Sequence, residues 1–347
     1  MRLPRYGPCA AALLLLGSCT FERAPLPVPA FRTVDSPAGP QSGESNLSVD
    51  ATGTLHMTWL ERLPDTTVAL RYARRTRDAW DSTRTVAVRR DFFVNWADFP
   101  SVIQTASGRL LVHWLQRSSA GKYSYDAMLA HSDDRGLTWS DPVRLHADSS
   151  ASEHGFVSLV PAGDSAMAFW LDGRAAGDHG AMQARVAYVT RDGSLGSESA
   201  VDLRTCDCCQ TAGAVSSHGP IVAYRDRSES NVRDIVVSRL EDGGWSAPVK
   251  VHQDEWQIDA CPVNGPAIVA FGDTVAVAWF TAARDTAKVQ VAFSVDAGKS
   301  FGVPVRVDDG NPAGRIAMVR DEGSGARVVG RTPGARHGRG SNPEGSS

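Results

Sequence analysis

Ser132-Asp133-Asp134-Arg135-Gly136-Leu137-Thr138-Trp139 has the pattern S-x-D-x-G-x-[ST]-[WF], and Ser294-Val295-Asp296-Ala297-Gly298-Lys299-Ser300-Phe301 repeats it. The pattern describes a turn. An Asp carboxylate accepts backbone N–H groups, the glycine supplies a positive φ, and the aromatic ring packs over the sheet. Degenerate copies stand at Arg77-Asp78-Ala79-Trp80, Arg191-Asp192-Gly193 and Glu241-Asp242-Gly243-Gly244-Trp245. All are in phase with a longer period: a strand ends in an aromatic residue at Trp59, Trp114, Trp170, Tyr224 and Trp279, at intervals of about 55 residues.

Each unit reads as strands alone. The aromatic strands are Leu55 to Leu60, Leu110 to Leu115, Ser165 to Leu171, Pro220 to Tyr224 and Thr274 to Phe280. They are short, apolar and rich in β-formers. A second strand follows each, as in Val68 to Tyr72 and Ala127 to His131, and after the turn comes a third, as in Pro142 to His146 and Pro248 to His252.

This repeat resembles the Asp-box, or BNR, repeat of the sialidase superfamily, over about residues 31–331. The resemblance implies an all-β, six-bladed β-propeller, with structural Asp-boxes on the face opposite the active site. Phe31 to Ser36 matches the outer-strand motif Val143 to Asp148 and is expected to complete the last blade. Arg315 to Arg320 and Ala326 to Arg331 match the first two strands of a sixth blade, and no third follows. Residues 332–347, rich in Gly, Arg, Pro and Ser, read as a disordered tail, so the last blade is expected to be incomplete.

At the other end, the apolar run Ala10 to Leu16 sits behind Arg2 and Arg5, as in an export signal. It leads into Leu16-Gly17-Ser18-Cys19, which resembles the lipobox of bacterial lipoproteins. That resemblance implies a signal peptide over 1–19, diacylation of Cys19 and, with Thr20 next, an outer-membrane lipoprotein facing the periplasm or exterior. The alternative is plain secretion with Cys19 discarded. Residues 20–30, rich in Pro and Ala, read as a tether. The net charge of −3 supplies no field to collect nucleic acid. The expected partner is a glycan or small molecule, with the membrane reached only through the lipid, for a monomeric chain.

Loops that enter the inner strands and loops that follow the aromatic strands share one face of such a propeller. They carry Asn95, Trp96 and Asp98, Glu153 and His154, Asp172 and Arg174, Arg225 and Asp226, Asp259 and Asn264, and Arg284. The superfamily resemblance implies three arginines on a substrate carboxylate, an acidic Asp, and a Tyr nucleophile assisted by a Glu. Arg174, Arg225 and Arg284 occupy equivalent places on successive blades and could form the clamp, with Asp98 as the acid. Glu153, His154, Asp172, Asp226, Asp259 and Asn264 would line the pocket. The competing reading makes these residues Arg–Asp pairs that tie loops together. No Tyr falls late in the chain on that face, so the nucleophile has no candidate.

Cys206, Cys208, Cys209 and Cys261 also fall in loops entering adjacent inner strands. In an oxidising compartment they read as one or two disulfides, for example one joining the cluster to Cys261. The other reading is a soft-metal site for copper or zinc, helped by His154. Two functions follow. One is an exo-α-sialidase-type glycoside hydrolase that needs no cofactor. The other is a non-catalytic propeller that binds a metal, ligand or protein partner at a Cys-rich axis.

Overall fold

The computed structural model describes residues 33–177, 180–242, 244–320 and 326–331. The signal, the lipobox with Cys19, the tether and the 332–347 tail lie outside them. The chain divides into a short leading unit that ends at Ser36 and a second unit that begins at Pro37. The described part of the leading unit, Thr33 to Ser36, has no regular structure. Thr33 to Ser36, the described part of the closing strand expected over Phe31 to Ser36, therefore form no strand, and Phe31 and Arg32 lie outside the described residues.

The second unit is built of antiparallel sheets. Blade 1 holds β1 (Ser42–Val49), β2 (Leu55–Arg62), β3 (Val68–Arg75) and β4 (Arg84–Arg89). Blade 2 holds β5 (Ser101–Gln104), β6 (Leu110–Arg117), β7 (Tyr125–Ser132) and β8 (Val143–Arg144). Blade 3 holds β9 (His154–Ala162), β10 (Ser165–Asp172), β11 (Met182–Val189) and β12 (Leu195–Thr205). Blade 4 holds β13 (Ala212–Ser216), β14 (Gly219–Arg225), β15 (Ile235–Glu241), β16 (Gly244–Trp245) and β17 (Val249–Lys250). Blade 5 holds β18 (Ala267–Phe271), β19 (Thr274–Thr281), β20 (Lys288–Ser294) and β21 (Val305–Arg306). A last sheet pairs β22 (Gly314–Arg320) with β23 (Ala326–Arg331) and, among the described residues, nothing else.

The aromatic strand is thus the second of each blade. A strand before it runs innermost, and these inner strands touch in succession: β1 with β5, β5 with β9, β9 with β13, β13 with β18 and β18 with β22. The core lies between blades. Trp114 packs with Leu70 and Tyr72 of blade 1, Trp170 with Leu115 and Leu129 of blade 2, and Trp279 with Ile221 and Val237 of blade 4. Each fully buried Trp contributes roughly 4–6 kcal/mol of transfer free energy by area, an upper bound.

The Asp-box turns follow the third strand and lean on the preceding blade. Thr138 N donates to Asp134 Oδ1 at 2.9 Å, Thr138 Oγ1 to Asp134 Oδ2 at 2.6 Å, and Gly136 N to Ser132 Oγ at 2.8 Å. The Ser294–Asp296–Ser300 turn repeats these bonds, with Ser300 N 2.9 Å from Asp296 Oδ1. Gly136 has φ +85°, and a Cβ there would lie 2.7 Å from the Tyr72 ring, which also meets Trp139 edge-on at 5.8 Å. Gly136→Ala is expected to cost about 2–4 kcal/mol, from left-handed strain plus the clash. Gly53→Ala, at φ +81° with open space around it, should cost only about 1–2 kcal/mol. Urea denaturation of the two variants checks this, and equal losses would refute the inter-blade contact.

Candidate functional site

Loops entering the inner strands bend sharply. Bulges interrupt β1, β9 and β22 near their starts, and Glu44, Phe156 and Arg315 there have positive φ. Bulges and strained residues of this kind re-aim side chains at functional sites. Across this face Arg315 Nη2 donates to Trp96 O at 2.9 Å, and its guanidinium lies 4.4 Å from the Trp96 ring centroid. The loop entering the sixth sheet thereby reaches the loop entering blade 2.

Beside it is a cluster of two carboxyls and a phenol. Tyr125, first residue of β7, donates its hydroxyl to Glu153 Oε1 at 2.5 Å, and the backbones of the two residues bridge in parallel. Asp98 is 2% exposed; its Oδ2 accepts the Phe156 N–H at 2.7 Å, and its buried Oδ1 has no partner. Burial, aided by the charge of Glu153, pushes the Asp98 carboxyl up to about 8 despite the Phe156 N–H. Glu153 is raised too, first by burial and then by Asp207. Gly155 is the only residue type that fits against this cluster, because a Cβ there would lie 2.8 Å from the Tyr125 ring and press on Asp98. Phe93 stacks on Tyr125 at 4.0 Å.

The three predicted arginines are engaged elsewhere. Arg174 donates to both oxygens of Asp172, at 2.7 and 2.8 Å, and to Glu198. Arg225, 1% exposed, gives Nε to Asn264 O at 2.9 Å, Nη1 to Arg233 O at 2.7 Å and Nη2 to Phe280 O at 2.8 Å. It also lies 4.9 Å from the Trp256 ring centroid. The Arg284 side chain is 81% exposed, 3.8 Å from Glu255. Arg174 is paired with carboxylates, Arg225 bonds three carbonyls rather than an Asp, and the three arginines share no partner that would make them a clamp.

Of the predicted pocket residues, Asp172 also accepts Trp170 Nε1 at 2.7 Å, and its partners hold its carboxyl below the ordinary range although burial alone would raise it. His154 is fully buried, 3.0 Å from Asp148 and stacked on His146 at 3.6 Å. Among the described residues the two rings cluster with Asp126, Asp148 and Asp172, apart from the cysteines. Asp226 accepts the Arg227 N–H, and Asp259 accepts Asn231 Nδ2, each at 2.7 Å. Asn264 accepts Arg315 N at 2.9 Å, so it positions loops.

Cys208 is joined to Cys261 by a disulfide with Cα atoms 6.1 Å apart. Cys206 and Cys209 are free and buried. The sulfurs of Cys206, Cys208 and Cys209 lie within 4.8 Å of one another. Arg233 Nη1 donates to Cys206 Sγ at 3.3 Å. Burial pushes the Cys206 thiol up, but the Cys209 thiol, Arg225 and Arg233 outweigh it and bring it below the ordinary value; burial raises Cys209. Away from this face, a cavity of 570 Å³ lies between Ser216, Arg239, Glu241 and Lys299 on the Asp-box side; none of its lining residues belongs to the clusters above.

Sequence reasoning missed Tyr125, because it sits at a strand start rather than in a late loop. Only the fold brings it to Glu153.

Among solved structures the chain is similar to a protein of unknown function from Dyadobacter fermentans, at 16% identity and a TM-score of 0.52, covering 73% of this chain and 75% of that one. It is similar to an ulvan lyase of the polysaccharide lyase group PL25 bound to a GlcA(1-4)Rha3S unit, at 13% identity and a TM-score of 0.51, covering 87% and 81%. A Hadza microbial sialidase matches at 16% identity and a TM-score of 0.48, over 80% of this chain. The chain spans 61% of that sialidase's length. The likenesses to the Dyadobacter protein and the ulvan lyase show a shared propeller fold. No curated protein matches the chain. The BNR repeat-like domain matches residues 56–324, and the chain belongs to that family.

Proposed function

We propose that the chain is an extracytoplasmic glycoside hydrolase of exo-α-sialidase type. The observation that carries this reading is the Asp98–Glu153–Tyr125 cluster on the inner-strand loops. Asp98, neutral below about pH 8, is a proton donor for the leaving-group oxygen. Tyr125 attacks the anomeric carbon as Glu153 takes its proton, and water then releases the sugar. The chemistry needs no cofactor. The glycan-related names among the fold neighbours support a carbohydrate substrate, and α-sialosides are the first class to test. Asp98 and Tyr125 are buried, so the protein around them must move to admit a sugar. The same burial favours a second reading, a propeller that binds a glycan without cleaving it.

Release of methylumbelliferone from its α-sialoside by the purified chain tests the proposal. Asp98→Asn should lower kcat by about 10²–10⁴, and Tyr125→Phe should abolish turnover. Arg225→Met should instead lower the unfolding midpoint, because it strips three buried carbonyls of their donor. The alkaline limb of the pH profile should fall as pH rises through about 8, where Asp98 loses its proton. Binding of the sialoside without turnover would overturn catalysis in favour of the second reading.

Stability supplies an independent check. Native Asp98 keeps a proton that the unfolded chain releases above about pH 4. Its contribution therefore declines as pH rises from about 4 to about 8, and Asp98→Asn should flatten that decline in urea titrations.

The proposal includes export and an outer-membrane lipid anchor at Cys19, supported by the lipobox. Palmitate labelling of cells expressing the chain should mark it, and Cys19→Ser should remove the label. Unlabelled wild-type chain in the culture medium would mean plain secretion.

A further inference from the structure

We propose that Cys206, Cys208, Cys209 and Cys261 together bind one thiophilic d¹⁰ cation, Zn(II) or Cu(I), between the loops entering blades 4 and 5. This goes beyond the hydrolytic reading and does not depend on it.

Three observations converge. The first is sulfur geometry: Cys206, Cys208 and Cys209 place their sulfurs within 4.8 Å of one another, and Cys208 is in bonding contact with Cys261. Three sulfurs of the loop entering blade 4 converge, and Cys261 of the loop entering blade 5 is bonded to one of them, a donor type that soft cations select.

The second is burial. Cys206 and Cys209 are 0% and 1% exposed, yet they are not oxidised to each other.

The third is unbalanced charge. Arg225 is 1% exposed and its three recorded hydrogen bonds go to neutral carbonyls; among the described residues no ion pair involves it. Arg233, with a side chain 5% exposed, points Nη1 at Cys206, keeps a buried Nε without a partner and comes no nearer than 3.9 Å to Asp207. Buried guanidinium charge is costly unless an anion compensates it. Zinc held by four thiolates keeps two negative charges, as does Cu(I) held by three. Arg225 and Arg233 supply two positive ones.

The binding step moves no electrons. Four thiols release four protons as one zinc ion adds, and three release three for Cu(I). The Cys208–Cys261 disulfide is the competing product, formed when a compartmental disulfide oxidant removes two electrons and two protons from that pair. A metallated site would resist this oxidation.

The test uses the full chain, purified under a phosphine reductant and dialysed in separate arms against chelator-buffered Zn(II) and Cu(I). Elemental analysis should find one ion per chain in at least one arm, and the arms say which ion. X-ray absorption should show sulfur neighbours, at about 2.3 Å for zinc. Arg233→Gln, which leaves all four sulfurs in place, should weaken binding by about 10–100-fold. Cys206→Ser and Cys209→Ser should weaken it further. A serine variant that lost its fold would also lose metal, so the wild-type absorption spectrum decides the ligands. Substoichiometric metal in both arms, with peptide mapping showing all four cysteines reduced, would overturn the proposal. So would a metal with only nitrogen and oxygen neighbours.

Discussion

A small antiparallel sheet has two apolar faces and cannot cover either by itself, so every blade depends on contact with the next. The aromatic side chains of the second strands make that contact, with Trp114, Trp170, Tyr224 and Trp279 each buried in a cluster shared with the preceding blade. The Asp-box turns add a second point of attachment. Gly136 meets Tyr72 of blade 1, Gly193 meets His131 of blade 2 and Gly298 meets Ile221 of blade 4. A Cβ at Gly136 or Gly193 would strike a ring of the preceding blade, whereas at Gly298 it would meet the tip of the Ile221 side chain. Trp59, in blade 1, packs instead in a small cluster with Met57, Ala73, Ala38 and Trp80. On the loop face Arg315 of the last sheet stacks on Trp96 and bonds its carbonyl.

The fold was legible because its signals are local and repeated. An S-x-D-x-G turn makes its hydrogen bonds within seven residues, and the bonds of Asp134 and Asp296 are the same set. The innermost strands were harder to read as separate elements. β5, β13 and β18 are short, and they lie beside the axis, where both polar and apolar side chains are tolerated. Cys208 and Cys261 could be placed near each other from sequence, since they fall in equivalent loops of adjacent repeats.

The site was less legible because its chemistry depends on which side chain wins a partner. Arg225-Asp226-Arg227 reads as Arg–Asp pairs that tie loops together. In the structure Arg227 does bond Asp207, at 2.8 Å, while Arg225 turns inward to three carbonyls. Nothing in the tripeptide distinguishes the two arginines; the difference arises from blade 5, whose entering loop presents Asn264 O and whose strand β19 presents Phe280 O. Tyr125 is the converse case. Its position at a strand start looks structural, and its hydroxyl acquires a carboxylate only because the loop before blade 3 runs parallel to it. Asp98 was legible as a polar residue on the correct face. Its raised pKa was not, since that follows from complete burial and from the neighbouring charge of Glu153.

The carboxyl cluster and the sulfur cluster are also physically joined. Arg233 contacts Cys206 through Nη1 and approaches Asp207 through Nη2. Asp207 in turn is one of the charges that raise Glu153, the partner of Tyr125. A change of net charge at the sulfurs alters how strongly Arg233 is drawn toward them and away from Asp207. In a buried setting of low dielectric such a change is transmitted over one or two contacts rather than screened. The loop that links β12 to β13 carries both Cys206 and Asp207, so whatever fixes its sulfurs also fixes the electrostatic surroundings of the phenol–carboxylate pair.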